Sequence, residues 1–299
     1  MTWLAAIMEF FGKFRKGRGI SIIIPFRCPD PTHPRARNVI WLKKYWKAQL
    51  PGAEIIMGED PDLNVPFSKC VAINNGVAKS KGDVLVLIDA DGYMAINDLL
   101  ACVEEIRLAR KKGHKLWFVP YRKFYRLTQA ASELILASDP QHPVEFPTPP
   151  NEDHYYKGEP DKGHWYGAMC QIMPREAFDA VGGWDPRFRG WGGEDHAAMR
   201  AMDTLWAPHK TMPSQILHIW HPQIGNNGVQ DFVWKDRRWD GQNDSAVNNR
   251  LSWRYYWATG KPQIMRKLLD EGFKWYEDHI HEYRERKVQH GEEPLDHHS

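Results

Sequence analysis

Three short stretches of this chain carry residues whose types and spacing could do chemistry. The first is Asp89-Ala90-Asp91-Gly92, which follows the almost wholly apolar run 83–88. Two carboxylates one residue apart, turning off the end of a strand, can reach a hard divalent cation together, and oxygen ligands of this kind suit Mg²⁺ or Mn²⁺. Such a cation can bridge a diphosphate and neutralise it as a leaving group. A turn of solvated acids would look the same. The second is Gly190-Trp191-Gly192-Gly193-Glu194-Asp195-His196. Its glycines allow unusual backbone angles and close approach of a ligand. Its acids open a helix, where negative charge is favoured, so plain first-turn acids are the competing reading. An aromatic ring on such a segment suits stacking on a sugar, and the neighbouring carboxylate suits a general base for a hydroxyl. The third is Leu217-His218-Ile219-Trp220-His221-Pro222. If this run is a strand, His218 and His221 point to opposite faces, and at most one of them joins Asp89 and Asp91 on a metal.

Two further groups sit at what should be the same sheet edge. Pro25-Phe26-Arg27 ends the first apolar run, and an arginine at a strand tip can reach a phosphate or a base edge. Phe67-Ser68-Lys69 opens a helix; Phe67 can stack on a base or equally belong to the core.

The elements that must position these residues follow from pattern. Residues 20–26 are nearly continuous in apolar side chains, as a strand buried on both faces should be. A helix is expected over 37–50, closed by Pro51-Gly52. A strand over 54–57 runs out through Gly58-Glu59-Asp60, a helix spans 69–79, and a third strand spans 83–88. Asn97 can cap a helix over 98–112, and 115–120 reads as a fourth strand. Residues 138–163 hold six prolines, a density that no helix or central strand tolerates, so either a surface loop near an active-site mouth or a disordered segment without function is expected there. Beyond it come a strand over 168–173, short helices over 175–181 and 194–202, and a strand over 215–220. Strands alternating with helices argue for a largely parallel sheet with crossover helices. The division expected is an N-terminal helix over 1–19, a catalytic domain over 20–222, and a mostly helical extension over 223–299 with a polar tail.

Composition bounds the rest. The chain has 299 residues, with 40 basic against 38 acidic side chains and a formal charge of +2. That leaves no strong field to hold nucleic acid, which is therefore not an expected partner. The four cysteines, Cys28, Cys70, Cys102 and Cys170, form no CxxC pair and read as reduced thiols in a cytosol. No stretch reaches the roughly 18 apolar residues of a membrane span. The apolar N-terminus carries its charges after the run rather than before it, unlike a signal peptide. It reads as a helix packed on the domain, with peripheral contact to a membrane surface as the minor alternative.

Taken in order, Pro25-Phe26-Arg27, Asp89-Ala90-Asp91 and Gly190-Trp191-Gly192-Gly193-Glu194-Asp195 resemble the β-1,4-galactosyltransferases, and the Trp-Gly-Gly-Glu core also resembles the polypeptide N-acetylgalactosaminyltransferases. Chondroitin-polymerase-like bacterial enzymes share the scheme. The resemblance covers roughly residues 20–222. It implies an α/β fold of the GT-A type, a mostly parallel central sheet flanked by helices, with a UDP-sugar donor, Mn²⁺ or Mg²⁺, and a glycan, glycolipid or protein acceptor. It places Asp89, Asp91 and His218 at the metal, with His221 as the alternate. It casts Asp195 as the base and Glu194 as a group orienting the acceptor. On the donor side it implies Pro25, Phe26, Arg27, Asp60, Phe67, Lys69, Asp89, Ala90, Tyr166, Gly167, Trp191, Gly192 and Gly193. Trp191 becomes part of a loop that closes over both substrates.

The Golgi members of these families carry a membrane anchor, a stem and a cysteine pattern that have no match here. The expectation is therefore a cytoplasmic enzyme of a bacterium or a phage-infected host cell. An Asp-x-Asp motif in place of Asp-x-His leans toward the inverting branch. Two rivals remain on sequence. Ile88-Asp89-Ala90-Asp91-Gly92 locally fits a haloacid-dehalogenase-type phosphohydrolase, although it lies on the third strand and Tyr93 follows. The 14 Trp and 11 Tyr would suit a non-catalytic carbohydrate-binding protein.

Overall fold

The structure, a computed structural model, describes residues 16–28, 31–62, 66–159, 169–190, 192–222 and 244–289. The expected N-terminal helix lies outside these over residues 1–15, as do Tyr166, Gly167 and Trp191.

A six-stranded sheet forms the centre. Its strands are β1 (Ile20–Pro25), β2 (Glu54–Gly58), β3 (Val84–Ile88), β8 (Cys170–Pro174), β5 (Phe118–Val119) and β9 (Lys210–Thr211), in the spatial order β2-β1-β3-β8-β5-β9. The pairs β1–β2, β1–β3 and β5–β9 are parallel, and β8 runs antiparallel to both neighbours. Every residue of β1 and β3 is buried, which is why both sequences read as unbroken apolar runs. Ser21 is the one polar residue in them, and its hydroxyl is satisfied by Glu54 at 2.6 Å and the amide of Gly82 at 2.8 Å.

A second, four-stranded sheet has the order β4 (Gly92–Tyr93), β10 (Gln215–His218), β6 (Lys123–Leu127) and β7 (Tyr155–Glu159). It stands at the carboxyl end of β3, because β4 begins one turn after that strand.

Helix α1 (Pro34–Gln49) starts with Pro at its first position, and the His33 side chain accepts a bond from the Arg35 amide. Helix α2 (Lys69–Lys79) is capped by Ser68, whose hydroxyl accepts from the amide of Val71. Helix α3 spans Ile96–Lys111. Asn97 therefore lies inside it rather than capping it; Ala95 holds the N-cap position and has no side-chain acceptor to offer. Helices α4 (Gln129–Ala137), α5 (Arg175–Val181), α6 (Glu194–Leu205), α7 (Asp244–Ala258) and α8 (Pro262–Gln289) follow in chain order.

The proline-rich stretch is not wholly irregular. After its cluster of prolines the chain forms a 3₁₀ turn, Glu152–His154, and then β7, antiparallel to β6 at the sheet's edge. An edge position is where a strand beside prolines is tolerated. One apolar core runs through both sheets and includes Leu251, Tyr255, Met265, Leu268 and Leu269 from α7 and α8. All four cysteines are free thiols.

Candidate active site

The C-terminal tips of β1, β2 and β3 point the same way, because the three strands are parallel. Ligands of open α/β sheets collect beyond such tips. Asp89 and Asp91 leave β3 there, and three backbone bonds fix their loop. The Asp89 amide donates to Met169 at 2.9 Å, the Gly92 amide to Asp89 at 3.0 Å, and the Ile219 amide to Asp91 at 2.9 Å. The last of these ties the exit of β10 to the acid loop.

Two clusters grow from this loop. In one, Lys69 at the start of α2 stands between Asp89, at 2.6 Å, and Asp195, at 2.7 Å. Asp195 opens α6, behind Gly193, whose φ of 88° is a left-handed value that glycine adopts without strain. Burial pushes the Asp195 carboxyl well above the usual carboxylate range; Lys69 works against this, while Glu194 and Asp89 add to it. Burial raises Asp89 as well, again opposed by Lys69. Burial works to lower the Lys69 ammonium, but Asp195, Asp89 and Glu194 outweigh it and hold it well above its ordinary value. Lys69 is thus a fixed cation between two acids of raised proton affinity. Glu194 sits half-buried beside Asp195 in the first turn of α6.

In the other cluster, Asp91 meets both histidines. His221 Nε2 lies 3.0 Å and His218 Nε2 lies 3.8 Å from Asp91 Oδ2, and the two rings are 5.0 Å apart. This corrects the expectation that only one could reach. β10 ends at His218, so the strand alternation that separates the two residues does not extend to His221. The Asp89 carboxylate, expected at the metal, is paired with Lys69 here, and the residues close enough to share a metal, among those described, are Asp91, His218 and His221. Their ligand atoms all lie within 4.8 Å of one another. Ligands about 2.1 Å from a metal stand roughly 3–4 Å apart, so the group needs only small side-chain adjustment to close on an ion. His218 Nδ1 is buried with no hydrogen-bond partner, a further sign that these rings are not set by internal contacts alone. One carboxylate and two imidazoles suit a first-row divalent transition-metal cation.

Burial works to raise the Asp91 carboxyl, but His218, His221 and Arg35 together hold it well below the usual range. Burial pushes His218 down to about 4, against the pull of Asp91.

Arg27 lies over the Phe67 ring at 5.2 Å and donates to the Asp62 carbonyl at 2.6 Å. Asp60, expected on the donor side, is instead buried and engaged: it accepts from the Ser68 amide at 2.8 Å and faces Arg189 at 3.5 Å and Arg27 at 3.6 Å. Its carboxylate organises the loop between β2 and α2. Pro25 and Ala90 are buried in the sheet edge and Phe26 packs against the core, so these three support the site through backbone and bulk. A Cβ on Gly192 would meet nothing within 4 Å, whereas one on Gly193 would press on Ser252, Asn248 and Phe188. The Gly190 amide donates to the Phe67 carbonyl at 2.9 Å, which seats the glycine segment against the start of α2.

Sequence reading missed Arg35, which reaches Asp91 at 3.2 Å, Arg189 and Asn248. Asn248 in α7 is fully buried and bonds the Arg189 carbonyl at 2.7 Å. No motif marks these residues; each acquires its place only through a long-range contact.

The family described as N-terminal domain of galactosyltransferase matches residues 164–203, the stretch that contains the glycine–acid segment. Two curated relatives are chondroitin sulfate N-acetylgalactosaminyltransferase 2 of Homo sapiens, 28% identical over 166 residues, and of Mus musculus, 27% identical over 166 residues. Each alignment covers 53% of this chain and 27% of the relative, so the chain spans about a quarter of the length of the curated relatives it matches. Among solved structures, the catalytic domain of Drosophila β1,4-galactosyltransferase 7 in complex with xylobiose overlaps with a TM-score of 0.36 at 16% identity, covering 65% of this chain and 63% of that one. GalNAc-T7 with UDP, GalNAc and Mn²⁺ overlaps with a TM-score of 0.47 at 15% identity, covering 90% of this chain and 58% of that one. The chain resembles the GT-A glycosyltransferases. Its match to the galactosyltransferase family includes Asp195 and α6 as far as Asp203.

Proposed function

We propose that the protein is a metal-dependent glycosyltransferase that moves a hexose or N-acetylhexosamine from a UDP-sugar onto an acceptor hydroxyl with inversion. The observation that carries this reading is the convergence of Asp91, His218 and His221 next to the Asp89–Lys69–Asp195 chain at one sheet edge. The curated relatives, named as N-acetylgalactosaminyltransferases, support the sugar-transfer class; UDP, GalNAc and Mn²⁺ are named in one solved neighbour and xylobiose in another.

Asp91, His218 and His221 would hold the cation, which supplies charge neutralisation to the departing UDP. Arg27 with Phe67 lies beside the tips of β1 and α2, where a base and phosphate would lie. Lys69 holds a positive charge between Asp89 and Asp195, next to the acid that would serve as base. Asp195 accepts the acceptor's proton as the hydroxyl oxygen forms its bond to the anomeric carbon and the bond to the phosphate oxygen breaks. Its raised proton affinity makes it a stronger base than an ordinary aspartate. One base on one face, with no enzyme nucleophile, gives inversion, as in inverting glycosidases.

A panel of UDP- and GDP-sugars with Mn²⁺, read by donor hydrolysis and product release, tests the reading. Asp195→Asn is expected to lower turnover by about 10²–10⁴-fold with UDP affinity kept. Normal turnover in that variant would remove Asp195 from the role of base. Phosphatase activity on simple phosphomonoesters with no use of any nucleotide-sugar would overturn the function itself.

A further inference from the structure

The Asp91 oxygen that faces both histidines has a third neighbour. Arg35 Nη2 donates to Asp91 Oδ2 at 3.2 Å, so a guanidinium stands at the carboxylate that a cation would share. Arginine cannot shed its charge. A divalent cation between Asp91 and the imidazoles would therefore face a like charge within a few ångströms, and either Arg35 leaves Asp91 or an anion joins them. The surroundings offer no second carboxylate on its own helix, since the first turn of α1 has no acidic residue. Asp89, the nearest other acid of the loop, is held by Lys69. Arg35 is meanwhile only half engaged: its Nε is buried with no hydrogen-bond partner, while its side chain keeps 31% exposure. The edge of the guanidinium that can grip two oxygens side by side has one prong on Asp91 and the other unused. The backbone beneath it is fixed relative to the histidines, because Asn38 on the next turn donates to the Trp220 carbonyl at 3.0 Å.

We propose that Arg35 stands in for the cation at Asp91 and transfers to the diphosphate of the donor when the metal enters, so that metal and nucleotide each strengthen the binding of the other. This rests on the donor and cation named above. It gives one residue opposite effects on two ligands, which a merely structural role for Arg35 cannot do. Without nucleotide, Arg35 competes with the metal; with metal in place, it holds phosphate.

The test is calorimetric titration of the full chain with Mn²⁺ alone, then with UDP and with uridine at saturating Mn²⁺, for the wild type, Arg35→Gln and Arg35→Lys. Arg35→Gln is expected to bind Mn²⁺ about tenfold more tightly than wild type in the absence of nucleotide, and UDP about tenfold more weakly in the presence of Mn²⁺, with uridine unchanged. Arg35→Lys keeps the charge and should stay within about threefold of wild type for Mn²⁺, while losing part of the UDP affinity through the lost fork. Melting curves in chelator confirm that each variant is folded; if Arg35→Gln is not, the lysine variant decides, because weakened Mn²⁺ binding there or undiminished UDP binding overturns the proposal. Weaker or unchanged Mn²⁺ binding in folded Arg35→Gln would show that Arg35 only orients Asp91. A wild type that binds neither Mn²⁺ nor UDP would instead overturn the transferase reading, and this proposal with it.

Discussion

Lys69 concentrates the electrostatics of the site in a single side chain. It separates two acids that would otherwise share an enclosed space with no cation between them. Lys69→Met should push both carboxyls further up and deprive the base of its partner. The expected result is a loss of about 10²-fold or more in kcat, with the pH–rate profile of the residual activity moved to higher pH. An unmoved profile would mean that Lys69 does not govern the ionisation of Asp195. His218 gives a second prediction, for stability in chelator. Its folded-state pKa of about 4 lies below the ordinary histidine value of about 6.5. Between those values the unfolded chain binds the extra proton and the folded one does not. Stability from this group is therefore complete above about pH 6.5 and is lost as pH falls toward 4, on the order of 3 kcal/mol. Denaturant melts of His218→Gln should lack that slope. Both residues were visible in sequence, Lys69 through Phe67-Ser68-Lys69 and His218 through its distance past the glycine–acid segment. Their partners were not. Lys69 and Asp195 are 126 positions apart, and nothing local in either stretch specifies the pairing.

At the scale of elements, the sequence announces whatever is buried on two faces or capped by its neighbours. β1 and β3 are wholly apolar, and Ser68 caps α2 with its own hydroxyl, so these were legible. β7 was not, because its pairing with β6 is non-local and prolines mask it. The reach of His221 to Asp91 was misread for a related reason: the two-residue alternation holds only while the strand lasts, and β10 stops at His218. Gly193 tests how closely α6 depends on its neighbours. Its φ is 88°, and an added Cβ would lie 3.1 Å from the Ser252 Cβ and 3.3 Å from the Asn248 carbonyl. Gly193→Ala must either strain the turn or push α7 away, at a cost of about 1–3 kcal/mol. Since Asp195 stands two residues on, the same change should reduce kcat more than it raises KM for UDP-sugar. A variant with wild-type melting temperature and kcat would show that the segment has slack.

For the molecule as a whole, α7 and α8 decide whether the site can exist without them. Among the described residues, Tyr255, Ala258, Met265, Leu268 and Leu269 are at most 3% exposed and Leu251 is 7% exposed. Helices α7 and α8 both pack against α6, the helix that carries the acid segment, and polar ties accompany the packing. The Tyr255 hydroxyl donates to buried Asp185 at 2.8 Å, Arg187 Nη2 donates to the Leu268 carbonyl at 2.7 Å, and Arg266 Nη1 donates to the Val181 carbonyl at 2.8 Å. Burying a large apolar side chain contributes about 1.5–3 kcal/mol, so the larger of these residues together supply roughly 10 kcal/mol, comparable to the whole stability of a typical domain. Asn248 adds a second dependence, because it bonds the Arg189 backbone, and Arg189 in turn faces Asp60 in the loop between β2 and α2. A chain ending at residue 243 would leave Asp185 and Arg189 without those partners and expose the apolar wall behind α6. It is expected to lose cooperative thermal unfolding, near-ultraviolet circular dichroism and UDP binding together. Loss of UDP binding with a native-like melt would confine the role of α7 and α8 to the site. Full retention of all three would show that residues 1–243 hold the acid segment in place without α7 and α8.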